Sequence, residues 1–366
     1  MAMPESSTVL AERRRHLGIL TLNRPQALNA LSLEMIRLLT AQLLAWRDDP
    51  QVGAVLLRGA NRAGKAPAFC AGGDIRYFHA AALAGDPTLE DFFSEEYALN
   101  HLIHTFGKPT FVLMDGITMG GGMGLAQGCS MRVVTEHAKL AMPETNIGLF
   151  PDVGGGWFLA RTPGYLGEFL GLSGQVLGAA DSLAVDWADI CVKADRLDEL
   201  VQAVVDATAI DGVGALSAVN PFAADAGAST LAAQRELIDR AFAAHDLAAI
   251  VAALASEPGE FAASLSKALS QRSPLMMAVT LEQIRRARTM TLADDLRMER
   301  GLVRHCFHLR PGAASETLEG IRALVVDKDH SPRWNPAAIE DVEPAAVAAY
   351  FAPPWPAHAH PLRDLR

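Results

Sequence analysis

Cysteine is scarce in this sequence, with four residues among 366, and no two of them form a CxxC pair. The four are widely separated, at Cys70, Cys129, Cys191 and Cys306. A disulfide framework or a cysteine-ligated zinc site needs several cysteines at short, regular spacing. The pattern therefore argues against both kinds of site and predicts reduced thiols, as expected of a cytoplasmic protein.

An excess of basic residues is also missing, because the formal net charge is −10. Non-specific nucleic-acid binding depends on clustered Lys and Arg, so nucleic acid is not an expected partner. A small anionic ligand needs only a local basic patch and stays compatible with this charge.

Long apolar runs are absent too. Segment 111–126 comes nearest to the roughly 18–20 apolar residues that span a bilayer, but Asp115 and five glycines interrupt it. Residues 1–15 have no apolar run after their charges, unlike a secretory signal. The sequence therefore predicts a soluble protein with no membrane partner.

Several well-known catalytic motifs do not occur. The sequence has no GxSxG nucleophile elbow, no GxxxxGK[ST] phosphate loop and no HExxH motif. His101 and His104 are three residues apart, but no other ligand completes a metal site around them. Cys70 has no identifiable base beside it, which favours a packed thiol over a nucleophile. We therefore expect no metal site.

What the sequence does contain is half hydrophobic residues, enough to bury a sizeable core. Short apolar runs such as Val52–Leu57 and Thr110–Met114 alternate with glycine turns and helical patterns, which is typical of an α/β fold. We expect a catalytic core over residues 1–210, a helical region over 230–340 and an irregular, proline-rich tail over 341–366.

Two glycine turns are candidates for binding a negatively charged oxygen. Residues 116–124 read GITMGGGMG and precede a predicted short helix, so backbone N–H groups there lack partners within that helix. The turn at 71–74, AGGD, offers a second place for such a donor. Each turn is equally compatible with close packing alone, because glycine also permits tight backbone contact.

Two carboxylates lie in the apolar, glycine-rich segment 142–155, at Glu144 and Asp152. Burial in such surroundings raises the pKa of a carboxyl group toward the range useful for acid–base chemistry. Capping or pinning of a loop explains the same residues without catalysis. Glu95 and Glu96 lie on a predicted helix, where either a solvated face or one carboxylate directed at the same pocket fits the pattern.

Taken together, these segments resemble the crotonase (enoyl-CoA hydratase/isomerase) superfamily. The resemblance rests on NRPQALNAL (23–31), FCAGGDIR (69–76), the glycine cluster and MPETNIG (142–148), in that order. Within the superfamily the chain looks most like the 3-hydroxyisobutyryl-CoA hydrolase family. That closer likeness rests on longer matches, which are EEYALN (95–100), GITMGGGMG (116–124), MPETNIGLFPDVGGGWFLAR (142–161) and LEGIRALVVDKDHSPRW (318–334).

The resemblance implies a crotonase-like spiral of β-β-α units with a helical C-terminal region that binds an acyl-CoA thioester. CoA is then part of the substrate, and no separate cofactor is needed. Relatives of this kind often form trimers or hexamers, so a homo-oligomer is an expectation as well.

The same resemblance assigns roles to individual residues. The backbone N–H groups of Gly73 and Gly121 would form the oxyanion hole around the thioester oxygen. Glu144 would act as nucleophile or as general base on water, and Asp152 would contact the substrate hydroxyl or assist proton transfer.

Two weaker assignments follow from the same likeness. Glu96 would line the acyl pocket, and Arg76 would help to position CoA.

One departure from the superfamily pattern separates the candidate reactions. Hydratases of the superfamily use a glutamate just after the glycine cluster as well as one in the PE motif, and this chain has Gly124 at the first place. Hydrolysis of a short β-hydroxyacyl-CoA, as in valine breakdown, therefore fits better than hydration or isomerisation of a short-chain enoyl-CoA. A non-catalytic CoA-binding protein is the third reading.

Overall fold

The computed structural model describes residues 7–366. Residues 1–6 lie outside the described part. They belong to the N-terminal segment 1–15 and to the core predicted over residues 1–210. The chain packs into two compact units that alternate along the sequence. Unit 1 comprises Met1–Gly73, Ala98–Ala141 and Val176–Thr230, and unit 2 comprises Asp74–Tyr97, Met142–Gln175 and Leu231–Arg366. The predicted boundaries near residues 210, 230 and 340 stay a prediction.

Unit 1 contains the β-structure that we found within residues 7–366. Its strands are Val9–Arg14 (β1), Leu17–Leu22 (β2), Ala54–Gly59 (β3), Ala68–Cys70 (β4), Thr110–Met114 (β5), Ile117–Met119 (β6), Met131–Val134 (β7), Lys139–Ala141 (β8) and Ile190–Cys191 (β9). One sheet has the order β1-β2-β3-β5-β7-β9 and the other the order β4-β6-β8. β1 is antiparallel to β2, and the other pairs are parallel.

The parallel strands are short, and the most central of them are apolar and buried. β5 is buried at all five positions, as expected of a strand that packs on two sides. Along the chain, β3 and β4, then β5 and β6, then β7 and β8 each give one strand to each sheet. This alternation confirms the predicted α/β class.

The helices of unit 1 cover its larger sheet and its turns. They are Leu33–Asp48 (α1), Gly121–Gln127 (α4), Ala179–Ala184 (α7) and Leu197–Ala207 (α8), and Thr88–His104 (α3) begins in unit 2 and ends in unit 1. Ser32 caps α1, because its side chain accepts a hydrogen bond from the Met35 N–H. Val201, Val204 and Val205 of α8 pack on strand residues such as Leu56.

Unit 2 is helical. Its helices are Ile75–Ala84 (α2), Gly155–Leu159 (α5), Leu166–Ser173 (α6), Arg235–Phe242 (α9), Leu247–Ser256 (α10), Glu260–Leu269 (α11), Pro274–Ala287 (α12), Leu292–His308 (α13), Glu316–Ile321 (α14) and Pro344–Tyr350 (α15). Across residues 7–366, no helix is both long and apolar enough to cross a membrane.

Two local expectations were wrong. The helical pattern of residues 233–255 predicts one continuous helix, but the structure has two, because Asp246 accepts a hydrogen bond from the Ala249 N–H and starts α10. The tail predicted to be irregular contains α15, where Pro344 occupies the first helical turn, a position that proline tolerates.

Candidate active site

Glu144 lies in unit 2, at the start of a 3-10 helix, Glu144–Ile147, just after the end of β8. Gly148 ends this helix with φ of 63°, and a Cβ there would lie only 2.2 Å from the Glu316 carbonyl oxygen. This contact leaves little freedom in the backbone that carries Glu144. The side chain is 6% exposed, and its Oε2 has no hydrogen-bond partner among the described residues.

Asp152 lies in the loop that leads into α5, and it is paired with Tyr97 of α3. The Tyr97 hydroxyl donates a hydrogen bond to Asp152 Oδ2 over 2.8 Å, and both side chains are buried. Burial raises the pKa of Asp152 to about 6, and the Tyr97 hydrogen bond opposes this rise by stabilising the charged form. Asp152 therefore titrates close to neutral pH.

Glu96, the residue before Tyr97, is the third buried acid of this site. It is 2% exposed, so the solvated helix face considered from the sequence does not apply to it. Burial raises its pKa well above the usual value, and the charges of Asp152 and Glu144 raise it further. Burial and the charge of Asp152 also raise the pKa of Glu144. The three buried carboxyl groups therefore favour sharing protons over carrying three charges.

The loop after Asp152 is held by two side chains of one helix of unit 2, α13. Glu299 of α13 accepts hydrogen bonds from the Gly154 and Gly156 N–H groups over 2.7 and 2.9 Å. Asp295, one turn earlier, accepts from the Trp157 N–H over 2.9 Å. These bonds satisfy N–H groups in the first turn of α5 that have no partner within the helix.

Asp295 and Glu299, the two acids that bind the loop after Asp152, both have raised pKa values. Burial raises the pKa of Asp295 to about 7. Burial, and next the charge of Asp295, raise the pKa of Glu299 as well. The two carboxyl groups therefore favour sharing a proton over carrying two charges.

The two glycine turns of unit 1 lie against each other. Gly121 begins α4 after Gly120, which has φ of 49°. A Cβ added at Gly72 would lie 3.5 Å from the Gly121 nitrogen, and one at Gly122 would lie 2.4 Å from the Cys70 carbonyl oxygen. At Gly122 a Cβ would overlap main chain, whereas at Gly72 it would be a tight contact in a left-handed backbone that favours glycine.

The structure thus places the predicted residues in two groups. Glu96, Glu144 and Asp152 come together in unit 2, and the turns that carry Gly73 and Gly121 come together in unit 1. Arg76 is exposed in the first turn of α2, and its predicted role in positioning CoA stays a prediction. In the part of the chain that is described, no three His, Cys, Asp or Glu side chains form a group that could hold a metal ion.

Sequence reasoning missed Tyr97, Gln283, Asp295 and Glu299. Tyr97 is adjacent to a candidate acid, but only the fold brings it to Asp152 from 55 residues away. Asp295 and Glu299 are spaced by four residues on a predicted helix, and this spacing is usually that of a solvated face. Nothing in the local sequence marks them as buried.

Comparison with known proteins identifies the family. The sequence profile of the enoyl-CoA hydratase/isomerase family matches residues 17–351. A Xenopus tropicalis protein named "3-hydroxyisobutyryl-CoA hydrolase, mitochondrial" is 40% identical, covering 91% of this chain and 86% of the relative. A Gallus gallus protein of the same name is 38% identical, covering 95% and 89%.

A solved structure gives the same result for the fold. It is described as a carnitinyl-CoA dehydratase from Mycobacterium thermoresistibile and is 38% identical in sequence. It superimposes with a TM-score of 0.88 and covers 96% of this chain and 98% of the other. The profile match, the curated relatives and the shared fold agree over nearly the whole length, so this chain belongs to the enoyl-CoA hydratase/isomerase family.

Proposed function

We propose that this protein is a thioester hydrolase that releases free CoA from a short β-hydroxyacyl-CoA, with 3-hydroxyisobutyryl-CoA as the leading substrate. The observation that carries the proposal is the buried group of Glu144, Asp152 and Tyr97 in unit 2. It occurs in a chain 38–40% identical to relatives named for that hydrolysis. 3-Hydroxypropionyl-CoA has the same hydroxyl and thioester and is the second substrate that we propose.

In the proposed reaction, Glu144 acts at the thioester carbonyl carbon. Either its carboxylate attacks that carbon directly, or it takes a proton from water while the water oxygen forms the new C–O bond. The carbonyl oxygen gains negative charge, which the N–H groups of Gly73 and Gly121 would stabilise; each such donor is worth roughly 3–4 kcal/mol in the transition state. The C–S bond then breaks, and the sulfur of CoA leaves and takes up a proton. In the direct route the acyl group stays on Glu144 as a mixed anhydride, which water then hydrolyses to the free acid while the Glu144 carboxylate is restored.

Asp152 would contact the β-hydroxyl group of the acyl chain or assist proton transfer. Tyr97 donates to Oδ2 of Asp152, which fixes the carboxylate and leaves Oδ1 as the oxygen that we assign to the hydroxyl. Its pKa of about 6 means that this carboxylate is largely ionised at neutral pH and can accept that hydrogen bond. Glu96 would close the acyl pocket beside it.

Incubating the protein with 3-hydroxyisobutyryl-CoA and a thiol reagent tests this function. The proposal predicts free CoA well above the uncatalysed rate. If folded protein releases no CoA from either hydroxyacyl thioester, the proposal is wrong.

Hydration of an enoyl-CoA is the second candidate, because a solved structure that this chain resembles is described as a dehydratase. Gly124 argues against it, since the position that supplies one of two glutamates in hydratases of this superfamily has no side chain here. A hydratase would remove the enoyl absorbance of crotonyl-CoA without producing free thiol. That outcome would replace the hydrolase proposal.

We also propose that the reaction needs no cofactor beyond the CoA of the substrate and serves valine breakdown.

A homo-trimer or homo-hexamer is the expected assembly, and light scattering of the purified protein measures it directly. The cytoplasm is the proposed compartment, supported by four buried cysteines that form no disulfide within residues 7–366. The relatives cited above are named as mitochondrial, and cell fractionation distinguishes the two compartments.

A further inference from the structure

The loop that carries Asp152 has a strained backbone. Val153 has φ of 58° and Gly154 has φ of 86°. A β-branched residue at positive φ is a rare and costly conformation. Such strain persists only where surrounding groups hold it in place, and it often occurs at functional sites.

A pair of side chains from α12 and α13 holds this loop on both sides of Asp152. On one side, Gln283 Nε2 donates to the Pro151 carbonyl oxygen over 2.7 Å. On the other side, the Glu299 carboxyl group accepts from the Gly154 and Gly156 N–H groups. Gln283 Nε2 also donates to Glu299 Oε1 over 3.0 Å, which joins the two contacts.

All of these groups are deeply buried. Gln283 and Glu299 are both 0% exposed, and Asp295 beside them is 0% exposed as well. A buried carboxyl group is costly unless it is fully hydrogen-bonded. Glu299 satisfies three donors with its two oxygens, and two of those donors are main-chain groups of the catalytic loop.

We propose that Glu299 and Gln283 are positioning residues for the reaction, which hold Asp152 in its catalytic place by clamping the loop before and after it. This inference rests on the proposed role of Asp152. Neither residue is assigned a contact with substrate. Both act through the main chain at positions 151, 154 and 156, which places the Asp152 carboxylate opposite the Tyr97 hydroxyl.

The test compares Glu299→Gln, Asp152→Asn and the double variant in the full-length protein. In Glu299→Gln one carboxylate oxygen becomes an NH₂ group, so the side chain keeps its size but loses an acceptor for a main-chain N–H. We expect kcat for CoA release to fall roughly ten- to a hundred-fold, because small misplacements of a catalytic group have effects of that size. Amide hydrogen exchange in peptides covering 151–159 should become faster.

The double variant separates positioning from general loss of stability. If Glu299 acts through Asp152, adding Glu299→Gln to Asp152→Asn lowers kcat little further. Glu168→Gln is the matched control: Glu168 is 1% exposed and pairs with Arg288, and it has no assigned bond to the loop. This control should lower the melting temperature while kcat well below that temperature and loop exchange stay as in the wild type.

Three results overturn the inference: wild-type kcat in Glu299→Gln, fully additive losses in the double variant, or unchanged exchange over 151–159. Each of these leaves the hydrolase function standing if the wild type and Asp152→Asn differ as proposed. Absence of CoA release by the wild type instead rejects the function itself, so the two failures are distinguishable.

Discussion

At the scale of single residues, the chemistry depends on how burial divides protons among neighbouring acids. Glu144, Glu96 and Asp152 each carry a raised pKa, and Asp152 has an additional stabilising bond from Tyr97. The Tyr97 bond therefore favours charge on Asp152 over charge on Glu96. When the surroundings of adjacent acids separate their pKa values, one site can provide both a proton acceptor and a proton donor.

Replacing Glu144 by Gln should remove catalysis without removing the fold. The amide has nearly the same shape but can neither attack the thioester nor accept a proton from water. We expect kcat for CoA release to fall by roughly 10²–10⁴-fold. Thiol release measures this, Glu168→Gln serves as the control, and a variant that keeps wild-type kcat would exclude Glu144 as the catalytic group.

Replacing Tyr97 by Phe should change the pH dependence. The Tyr97 hydrogen bond lowers the pKa of Asp152, so its loss raises that pKa. If ionised Asp152 is required, the acid limb of the pH profile of kcat/KM moves to higher pH, because kcat/KM reports ionisations of the free enzyme. Tyr350→Phe, at a buried tyrosine of α15, is the control and should leave the limb in place. If the acid limb of the kcat/KM profile does not shift in Tyr97→Phe, the role assigned to ionised Asp152 is wrong.

At the scale of secondary-structure elements, the short 3-10 helix at Glu144 owes its position to Gly148. Gly148→Ala introduces a Cβ that would overlap the Glu316 carbonyl oxygen, at 2.2 Å. Gly85→Ala is a matched control, because Gly85 has φ of 65° but open space around its Cβ. Both substitutions place alanine in a left-handed backbone conformation, which costs about 1–2 kcal/mol of stability.

Gly148→Ala should therefore cost about 1–3 kcal/mol more stability than Gly85→Ala, the usual size of an overpacking penalty. It should also lower kcat, because the backbone that carries Glu144 has to shift. Urea unfolding and thiol release measure the two effects. Equal stability losses in the two variants would show that the contact with α14 does not fix the 3-10 helix.

Element positions were largely predictable from local sequence. Thr110–Met114 was predicted at its observed bounds, because an apolar run ends at Asp115 and a glycine turn. The break before Asp246 was missed because alanine-rich helical periodicity continues across it, and only the capping bond reveals the start of a new helix. The tail helix at Pro344 was missed because we weighted its many prolines as breakers rather than as first-turn residues.

At the scale of the whole molecule, buried acids make stability depend on pH. The pKa of Asp295 is raised to about 7 in the folded protein from an ordinary value near 3.8. The unfolded chain releases this proton at low pH, whereas the folded protein keeps it until near neutral pH. A raised carboxyl pKa therefore stabilises the fold at low pH, and this stabilisation is lost as pH rises toward 7.

Asp295→Asn should make stability less sensitive to pH. Between about pH 4 and 7, the free energy of unfolding of the wild type should fall relative to that of the variant, on the order of 1 kcal/mol per pH unit. The amide oxygen still accepts the Trp157 N–H bond, so the loop keeps that contact. Urea unfolding at pH 5 and pH 7 measures the difference, and an identical pH dependence in both proteins would contradict the raised pKa.

The site could be predicted only where its residues are neighbours in sequence. Glu144 and Asp152 were recognised because both lie in one apolar, glycine-rich segment. Tyr97 and Glu299 reach Asp152 and its loop across 55 and 145 residues, which no local pattern encodes. The reaction itself was inferred from Gly124 and the family resemblance, rather than from the charges alone.

The central claim, hydrolysis of a β-hydroxyacyl thioester, is tested most directly by three substrates on one preparation. The measurement is kcat/KM for CoA release from 3-hydroxyisobutyryl-CoA and from isobutyryl-CoA, with crotonyl-CoA followed for loss of its double bond. A site built to bind the hydroxyl should favour the hydroxylated thioester by at least about 10²-fold and leave crotonyl-CoA unchanged. Equal rates for the first two, or removal of the double bond without free thiol, would contradict the account.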